Sequence, residues 1–255
     1  MSAPAQKTWS AQDYETNARF VADLAGPAML DLLGAQPGER ILDLGCGDGA
    51  LTLKIAQTGA TVVGVDGAAD MVRAAQALGL DAHQMDGIAL SFDAEFDAVF
   101  TNAALHWMMQ PDNVAAGVFK ALKPGGRYVG EFGGFGNIVG LQAAARAAMQ
   151  ANGFGLPDGL PHYYPTAEDY TALLTAAGFD SISAQLIPRP TLLPTGLMGW
   201  LNTFGDSLLP GVPADQHQRL FDSMIDLLKP SLCTPSGSWF ADYVRLRFSA
   251  QKPQR

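Results

Sequence analysis

A glycine-rich turn is the segment of this sequence best suited to hold a ligand. Residues 41–49 read ILDLGCGDG, so Asp43 lies near the end of an apolar run and three glycines follow at alternate positions. Such glycines let the backbone turn tightly and approach a bound molecule closely. A dinucleotide site usually reads GxGxxG and holds a pyrophosphate at a helix N-terminus. Here the spacing is GxGxG with Asp48 inside it, where a carboxylate opposes a pyrophosphate but suits a positively charged ligand.

S-adenosylmethionine, with its sulfonium and ammonium groups, is such a ligand, and three further residues fall where it would require them. Asp66 ends a second β-branched run, where a carboxylate can accept hydrogen bonds from both ribose hydroxyls. Met71 can pack against the adenine face, and Asp86, before Gly87, can accept from the adenine amine. Asp66 and Asp86 also fit as helix caps or turn residues. Their joint occurrence in one β–α frame favours a cofactor site.

The elements that would position these residues alternate regularly over the first half of the chain. Apolar or β-branched runs predict strands at about 40–44, 61–65, 81–85, 97–101 and 127–131. Helical periodicity predicts helices at about 50–57, 68–77 and 111–122. This alternation implies right-handed βαβ units and a parallel sheet with helices on both faces.

After Glu131 the alternation gives way to a different arrangement. Helices are predicted at 141–151, from the N-cap Thr166 to Gly178, and at about 196–207 and 213–229. Strands are predicted at 180–187, ended by Pro188, Pro190 and Pro194, and at 242–250. We therefore expect an α/β fold with a seven-stranded, mostly parallel sheet. The expected organisation is an N-terminal helical lid at 1–35, a cofactor-binding core at 36–132 and the remaining strands at 133–255, with a substrate-binding helical insertion at about 190–232.

Composition limits the partners of this chain. The 255 residues are 48% hydrophobic and 16% charged, which indicates a sizeable core rather than disorder. With 16 Lys and Arg against 25 Asp and Glu, the formal charge is −9, so nucleic acid and anionic membrane surfaces are disfavoured partners. Cys46 and Cys233 form neither a disulfide framework nor a zinc motif, so we expect no metal. No signal peptide or membrane span is evident, which predicts a cytoplasmic protein; the sequence does not distinguish a monomer from a homodimer.

Five segments together carry a family resemblance. They are DLGCGDG at 43–49, GVDG at 64–67, MDG at 85–87, TNAALHW at 101–107 and LKPGGRYVGEF at 122–132. Over about residues 38–132 the chain resembles class I S-adenosylmethionine-dependent methyltransferases of the type 11 group, which implies a Rossmann-like fold. The C-terminal half more loosely resembles trans-aconitate methyltransferases, chiefly through residues 102–107, the segment from Tyr163 to Phe179 and the ending at 242–250. An NAALxW-type element also occurs in malonyl-carrier-protein methyltransferases, so that element does not decide the substrate.

The resemblance implies roles for individual residues. The glycine turn would pass under the methionine moiety, with Asp43 and Asn102 near its ammonium group. Asp66 would hold the ribose, and an N-terminal segment from Trp9 to Phe20 would close the site, with Tyr14 nearest the sulfonium. The residues implied in cofactor binding are Tyr14, Asp43, Gly45, Cys46, Gly47, Asp66, Gly67, Met71, Asp86, Gly87 and Asn102. A surface helix with two apolar anchors is the alternative for the N-terminal segment.

The methyl acceptor is less well indicated. O-methylation of a small-molecule carboxylate or hydroxyl is expected, and only a hydroxyl usually needs a general base. His106 is the candidate base, with a pocket-lining or core role as the alternative; His162 can also reach the pocket. The candidate acceptor contacts are Tyr14, Trp107, Phe132 and Tyr163, with Phe135 and Tyr164 as further possible walls. Packing is the alternative role for these aromatic residues.

Charge bears on the type of acceptor. Between residues 133 and 232 the cations are Arg146, Arg189, Arg219 and Lys229, against eight acidic residues, which argues against a strongly anionic acceptor. Two other classes of function stay open at this point. One is a nucleotide-dependent oxidoreductase, and the other is a non-catalytic binding module with a methyltransferase fold.

Overall fold

The computed structural model describes residues 19–159 and 162–254. Within them seven strands form one sheet in the order β3-β2-β1-β4-β5-β7-β6. The strands are β1 (Arg40–Leu44), β2 (Thr61–Asp66), β3 (Asp81–Gln84), β4 (Phe96–Asn102), β5 (Leu122–Gly133), β6 (Asp180–Leu192) and β7 (Phe240–Gln251). Neighbours among the first five are parallel, and β7 runs antiparallel to both β5 and β6. The predicted mostly parallel seven-stranded sheet is confirmed.

Helices cover both faces of this sheet. They are α1 (Arg19–Leu33), α2 (Ala50–Ala56), α3 (Ala69–Ala77), α4 (Pro111–Ala121), α5 (Val139–Ala151), α6 (Ala167–Ala176), α7 (Gly196–Phe204) and α8 (His217–Leu232). Thr166 caps α6 as predicted, because its hydroxyl accepts a hydrogen bond from the Asp169 N–H at 3.0 Å. No helix among the described residues is long and apolar enough to cross a membrane.

The central strands are buried from both sides, which explains their nearly continuous apolar sequences. On one face, α1 and α2 contribute Met29, Leu33 and Ile55 to a core with Phe100 and Val129. On the other, α4 and α6 cover the sheet, and Val118 and Leu174 pack in a cluster with Tyr128 and Phe248. The helices α5, α7 and α8 share a separate core with Tyr243 of β7. The carboxyl edge of β1, β2 and β4 is thereby held on a rigid base.

Two strand boundaries lie about five residues from the sequence-based expectation. The prediction that the prolines end the sixth strand at 187 is wrong, because β6 continues through Pro188 and Pro190 to Leu192. This strand forms the edge of the sheet, where one row of backbone groups has no partner strand, and prolines at alternate positions place both missing N–H groups on the same side. The fifth strand begins at Leu122 rather than 127, and its register with β4 shifts where Gly125 adopts a positive φ of 79°.

Candidate cofactor and acceptor site

The glycine turn after β1 is tied to the end of β2. The N–H groups of Gly45 and Cys46 donate to the Val65 carbonyl at 2.8 and 3.0 Å. Gly45 has a φ of 76°, and a Cβ there would lie 2.2 Å from Ala104 Cβ, so a larger residue fits neither the backbone nor the packing. Gly47 also has a positive φ, but apart from its two chain neighbours no atom of residues 19–159 and 162–254 lies within 4 Å of the position that a Cβ would take there. The turn is thus packed on one side and open at Gly47, as binding a ligand requires.

Asp66 links the end of β2 to this turn. Its Oδ2 accepts from the Gly47 N–H at 3.0 Å, and its Oδ1 accepts from the Ala68 N–H at 2.9 Å. Burial raises the pKa of this carboxyl, and the two backbone hydrogen bonds partly offset the effect. Each carboxylate oxygen can accept a second hydrogen bond. The turn role and a ribose-binding role of Asp66 are therefore compatible.

Asp43 is a nearly buried carboxylate, 2% exposed, in the interior beneath the turn. The Thr52 hydroxyl of α2 donates to its Oδ2 at 2.6 Å. Burial raises the pKa of Asp43 to about 7; the Thr52 hydrogen bond opposes this effect and the charge of Asp66 adds to it. A positively charged ligand nearby would stabilise the ionised form.

Four acidic side chains lie in or beside the turns that follow β1, β2 and β3. Among the described residues, no Lys, Arg or His forms an ion pair with Asp43, Asp48, Asp66 or Asp86. Burial, followed by the Asp43 and Asp66 charges, raises the pKa of the Cys46 thiol, which keeps it protonated. These carboxylates fit the positively charged sulfonium and ammonium groups of S-adenosylmethionine, and they disfavour a pyrophosphate.

The remaining predicted cofactor residues lie at the same edge of the sheet. Met71 is buried in the first turn of α3, and Gly67 accepts through its carbonyl from the Gln84 side chain at 3.1 Å. Asp86 caps the turn at Gly87–Ala89, accepting from the Ile88 N–H at 3.1 Å. Asn102 ends β4, directly before Ala103 in the left-handed region. Tyr14 and most of the predicted lid lie outside the described residues.

Met108 is a site residue that sequence reasoning missed. A Cβ at Gly87 would lie 2.7 Å from both Met108 Cε and Met108 Sδ, and one at Gly45 would lie 4.0 Å from Met108 Cε. The Met108 side chain therefore lies between the turns that follow β1 and β3. Its position could have indicated this role, because Met108 directly follows the short 3-10 helix Leu105–Trp107 on the segment that leaves β4.

A cluster of four rings lies beside the end of β4. His106, Trp107, His162 and Tyr164 have centroids 4.5 to 6.0 Å apart in the pairs that contact, and the Trp107–His162 pair is the closest. His106 is buried, and its Nδ1 accepts from the Gly133 N–H at 3.4 Å. Burial lowers the pKa of His106 well below its usual value, and the His162 and Arg245 charges act in the same direction. His106 is therefore neutral at neutral pH.

Phe132 and Tyr163 do not belong to this ring cluster. Phe132 is fully buried and packs against Tyr163, Tyr170 and Phe248 at 6.3, 5.0 and 6.2 Å between ring centroids. Because successive side chains of a strand point to opposite faces, Phe132 and the Gly133 position that Tyr164 covers face opposite sides of the sheet. The acceptor roles of Phe132 and Tyr163 stay predictions.

Comparison with known proteins agrees with this geometry. The methyltransferase domain family matches residues 42–130. An uncharacterized methyltransferase of Schizosaccharomyces pombe, C70.08c, is 38% identical, and the alignment covers 96% of this chain and 98% of the relative. A trans-aconitate 2-methyltransferase of Deinococcus radiodurans is 30% identical over 80% of this chain and 82% of its own.

Solved structures with a similar fold also match this chain. The YcgJ protein of Bacillus subtilis superposes with a TM-score of 0.65, 16% identity and coverage of 91% of this chain and 100% of that one. This likeness concerns the fold, whereas the Schizosaccharomyces pombe relative matches this chain in sequence nearly end to end. The chain belongs to the methyltransferase family of these relatives, and it is an S-adenosylmethionine-dependent methyltransferase with the expected class I, Rossmann-like fold.

Proposed function

We propose that this enzyme methylates an oxygen of a small-molecule acceptor, and that a carboxylate is favoured over a hydroxyl. The observation that carries the proposal is the state of His106. Because its Nδ1 accepts from Gly133 N–H, the proton of the neutral ring belongs on Nε2, which then donates rather than accepts. A donor suits a carboxylate, whereas a hydroxyl acceptor usually requires a base.

Each residue of the site has a proposed task. When bound, S-adenosylmethionine supplies a methyl group on a positively charged sulfur, which an acceptor oxygen displaces in line. Asp43 and Asp48 provide the negative potential for its charged end, and Asp66 and Asp86 accept from its ribose and adenine. Further cofactor contacts come from the turn residues Gly45, Cys46 and Gly47, and from Gly67, Met71, Gly87, Asn102 and, on the N-terminal segment, Tyr14.

The ring cluster serves the acceptor. His106 Nε2–H holds one carboxylate oxygen, and Trp107, His162 and Tyr164 exclude water around it, which strengthens that hydrogen bond. A carboxylate oxygen is already nucleophilic, so no residue has to remove a proton. A small molecule is favoured over nucleic acid because the formal charge is −9, which repels a phosphate backbone. The name of the Deinococcus relative, a trans-aconitate 2-methyltransferase, is consistent with a carboxylate acceptor.

The bond formed in the product tests this proposal. The purified protein is incubated with S-adenosylmethionine tritiated in the methyl group and a panel of aliphatic carboxylic acids, alcohols and phenols. We expect the acids to be labelled as methyl esters, from which mild base releases volatile methanol. Base-stable label found on alcohols or phenols alone would exclude the carboxylate preference. Absence of label with every compound, despite cofactor binding, would count against small-molecule O-methylation.

Replacement of His106 separates a donor from a base. His106→Gln keeps an N–H group on a side chain of similar reach but cannot take a proton, so we expect kcat with a carboxylic acid to fall by less than about 10-fold. His106→Phe removes the donor and should cost about 10- to 100-fold more than the Gln variant. A general base at this position would instead make His106→Gln lose about 10²- to 10⁴-fold, and that result would contradict the donor role.

A further inference from the structure

Three arginines of β6 and β7 lie on the same face of the sheet as Glu131 of β5. The strand register places Arg245 and Arg247 of β7 on the same face as Glu131 of β5 and Arg189 of β6. Glu131 is 2% exposed; it accepts from both terminal nitrogens of Arg189 and, at 2.8 Å, from Arg247 Nε. Among residues 19–159 and 162–254, no carboxylate lies within 4.0 Å of the Arg245 guanidinium. This group of four side chains therefore carries two unbalanced positive charges.

Arg245 is buried although no carboxylate in the described part of the chain pairs with it. It is 6% exposed, and its guanidinium carbon lies 4.1 Å from the centroid of the Tyr243 ring. The Tyr243 hydroxyl accepts from Trp200 Nε1 at 2.6 Å. The ring contact offsets part of the desolvation of the cation. A buried charge without an opposite partner is nevertheless unfavourable, and a ligand carboxylate would supply that partner.

The position of Arg245 connects it to the acceptor site. Arg245 pairs across the strands with Gly133, whose N–H donates to His106 Nδ1. A Cβ at Gly133 would lie 2.5 Å from Tyr164 Cε1, so the absent side chain leaves room for that ring. Directly paired residues of neighbouring antiparallel strands have Cα atoms about 5 Å apart. Arg245 thus lies one strand away from the backbone that supports His106 and Tyr164.

We propose that Arg245 binds a carboxylate of the methyl acceptor that does not itself react. In the transfer, a lone pair of the attacking carboxylate oxygen forms the new C–O bond, the C–S bond breaks, and its electron pair stays on sulfur. The attacked carboxylate becomes a neutral ester, so a cation holding it would stabilise the starting state more than the transition state. A second carboxylate keeps its charge throughout. The acceptor is therefore a di- or tricarboxylate, an inference that rests on the proposed carboxylate methylation.

Matched acids of equal carbon number test this inference. Label transfer is measured with glutarate against pentanoate, adipate against hexanoate, and with trans-aconitate, in the wild type and Arg245→Met. A bidentate ion pair between Arg245 and the second carboxylate should make the wild type prefer a diacid over its monoacid by about 100-fold in kcat/KM. Arg245→Met should reduce this preference to about 3-fold or less. Arg245→Lys keeps the charge without the planar fork and should retain a preference of about 10-fold.

A control variant and a second readout make the outcomes distinguishable. Arg247→Met removes the same charge from the same face but leaves Glu131 paired with Arg189, so the diacid preference should stay within about 3-fold of the wild type. S-adenosylhomocysteine affinity, measured by calorimetry, should be unchanged in all three variants. If the wild type labels none of these acids although it binds S-adenosylhomocysteine, the proposed carboxylate methylation itself is refuted. If acids are labelled, equal use of diacids and monoacids by the wild type, or an unchanged diacid preference in Arg245→Met or Arg245→Lys, overturns the inference about Arg245.

Discussion

Asp66→Ala is expected to weaken S-adenosylhomocysteine binding at least about 100-fold, to the limit of detection by calorimetry, because the variant would lose the proposed charge-assisted hydrogen bonds to two ribose hydroxyls. The substitution also releases the Gly47 and Ala68 N–H groups that Asp66 now accepts from, so the glycine turn loses its link to β2. Both effects act on the same ligand. Asp66→Asn keeps one acceptor oxygen and should bind with intermediate affinity.

Asp70 provides a matched control for this experiment. It lies four residues after Asp66, in the first turn of α3, and pairs with Arg73 at the surface. Asp70→Ala should leave the affinity within about 2-fold, since an exposed ion pair contributes little. Circular dichroism and the melting temperature establish that each variant is folded. Near-normal affinity of folded Asp66→Ala would remove the cofactor assignment from this carboxylate.

Asp43→Asn is expected to stabilise the ligand-free protein and to impair cofactor binding. The pKa of Asp43 is raised from 3.8 to about 7, so the folded protein holds a proton that the unfolded chain has already released between these values. The free energy of unfolding of the wild type therefore falls as pH rises from about 4 to about 7 and then levels off. An amide cannot ionise. The advantage of Asp43→Asn should grow over the same range by about 1.4 kcal/mol per pH unit, to at most about 4 kcal/mol.

Urea unfolding at pH 4.5 and pH 8, followed by calorimetry at pH 8, measures both effects. The gain in unfolding free energy should be several times larger at pH 8, while affinity for S-adenosylmethionine falls at least about 10-fold through the lost charge. Thr52→Val is the matched control, because it removes the hydroxyl that donates to Asp43 but leaves the carboxyl group to titrate. A gain that is independent of pH, or unchanged cofactor affinity, would contradict the role assigned to Asp43.

The core of the fold follows from the sequence because its strands are buried on both faces. Such strands are short apolar runs between turn signals, and those at 40–44 and 61–66 match the prediction almost residue for residue. The glycine turn was predictable for a similar reason, since few residues tolerate a φ such as the 76° of Gly45. Membership of the methyltransferase family excludes the oxidoreductase alternative. The acidic residues around the turn agree with this, because they disfavour the pyrophosphate of a dinucleotide.

The acceptor side was less predictable because it depends on long-range register. Arg245 lies beyond the segment whose cations seemed to argue against an anionic acceptor, and only the pairing of β7 with β5 brings it beside Gly133. Tyr163 packs against Phe132, whereas Tyr164 packs against His106 and His162. The order of apolar and polar residues in the sequence does not indicate which of these rings each tyrosine contacts. Pro188 and Pro190 read as breakers in the sequence and are tolerated because β6 is an edge strand.

A crystal structure with S-adenosylhomocysteine tests the central claim most directly. The ribose hydroxyls should lie within hydrogen-bond distance of Asp66, the adenine amine near Asp86, and the amino acid end over the turn from Gly45 to Gly47. The sulfur should face the ring cluster that contains His106. Binding of S-adenosylhomocysteine elsewhere, or at this edge without contact to Asp66, would contradict the site described here.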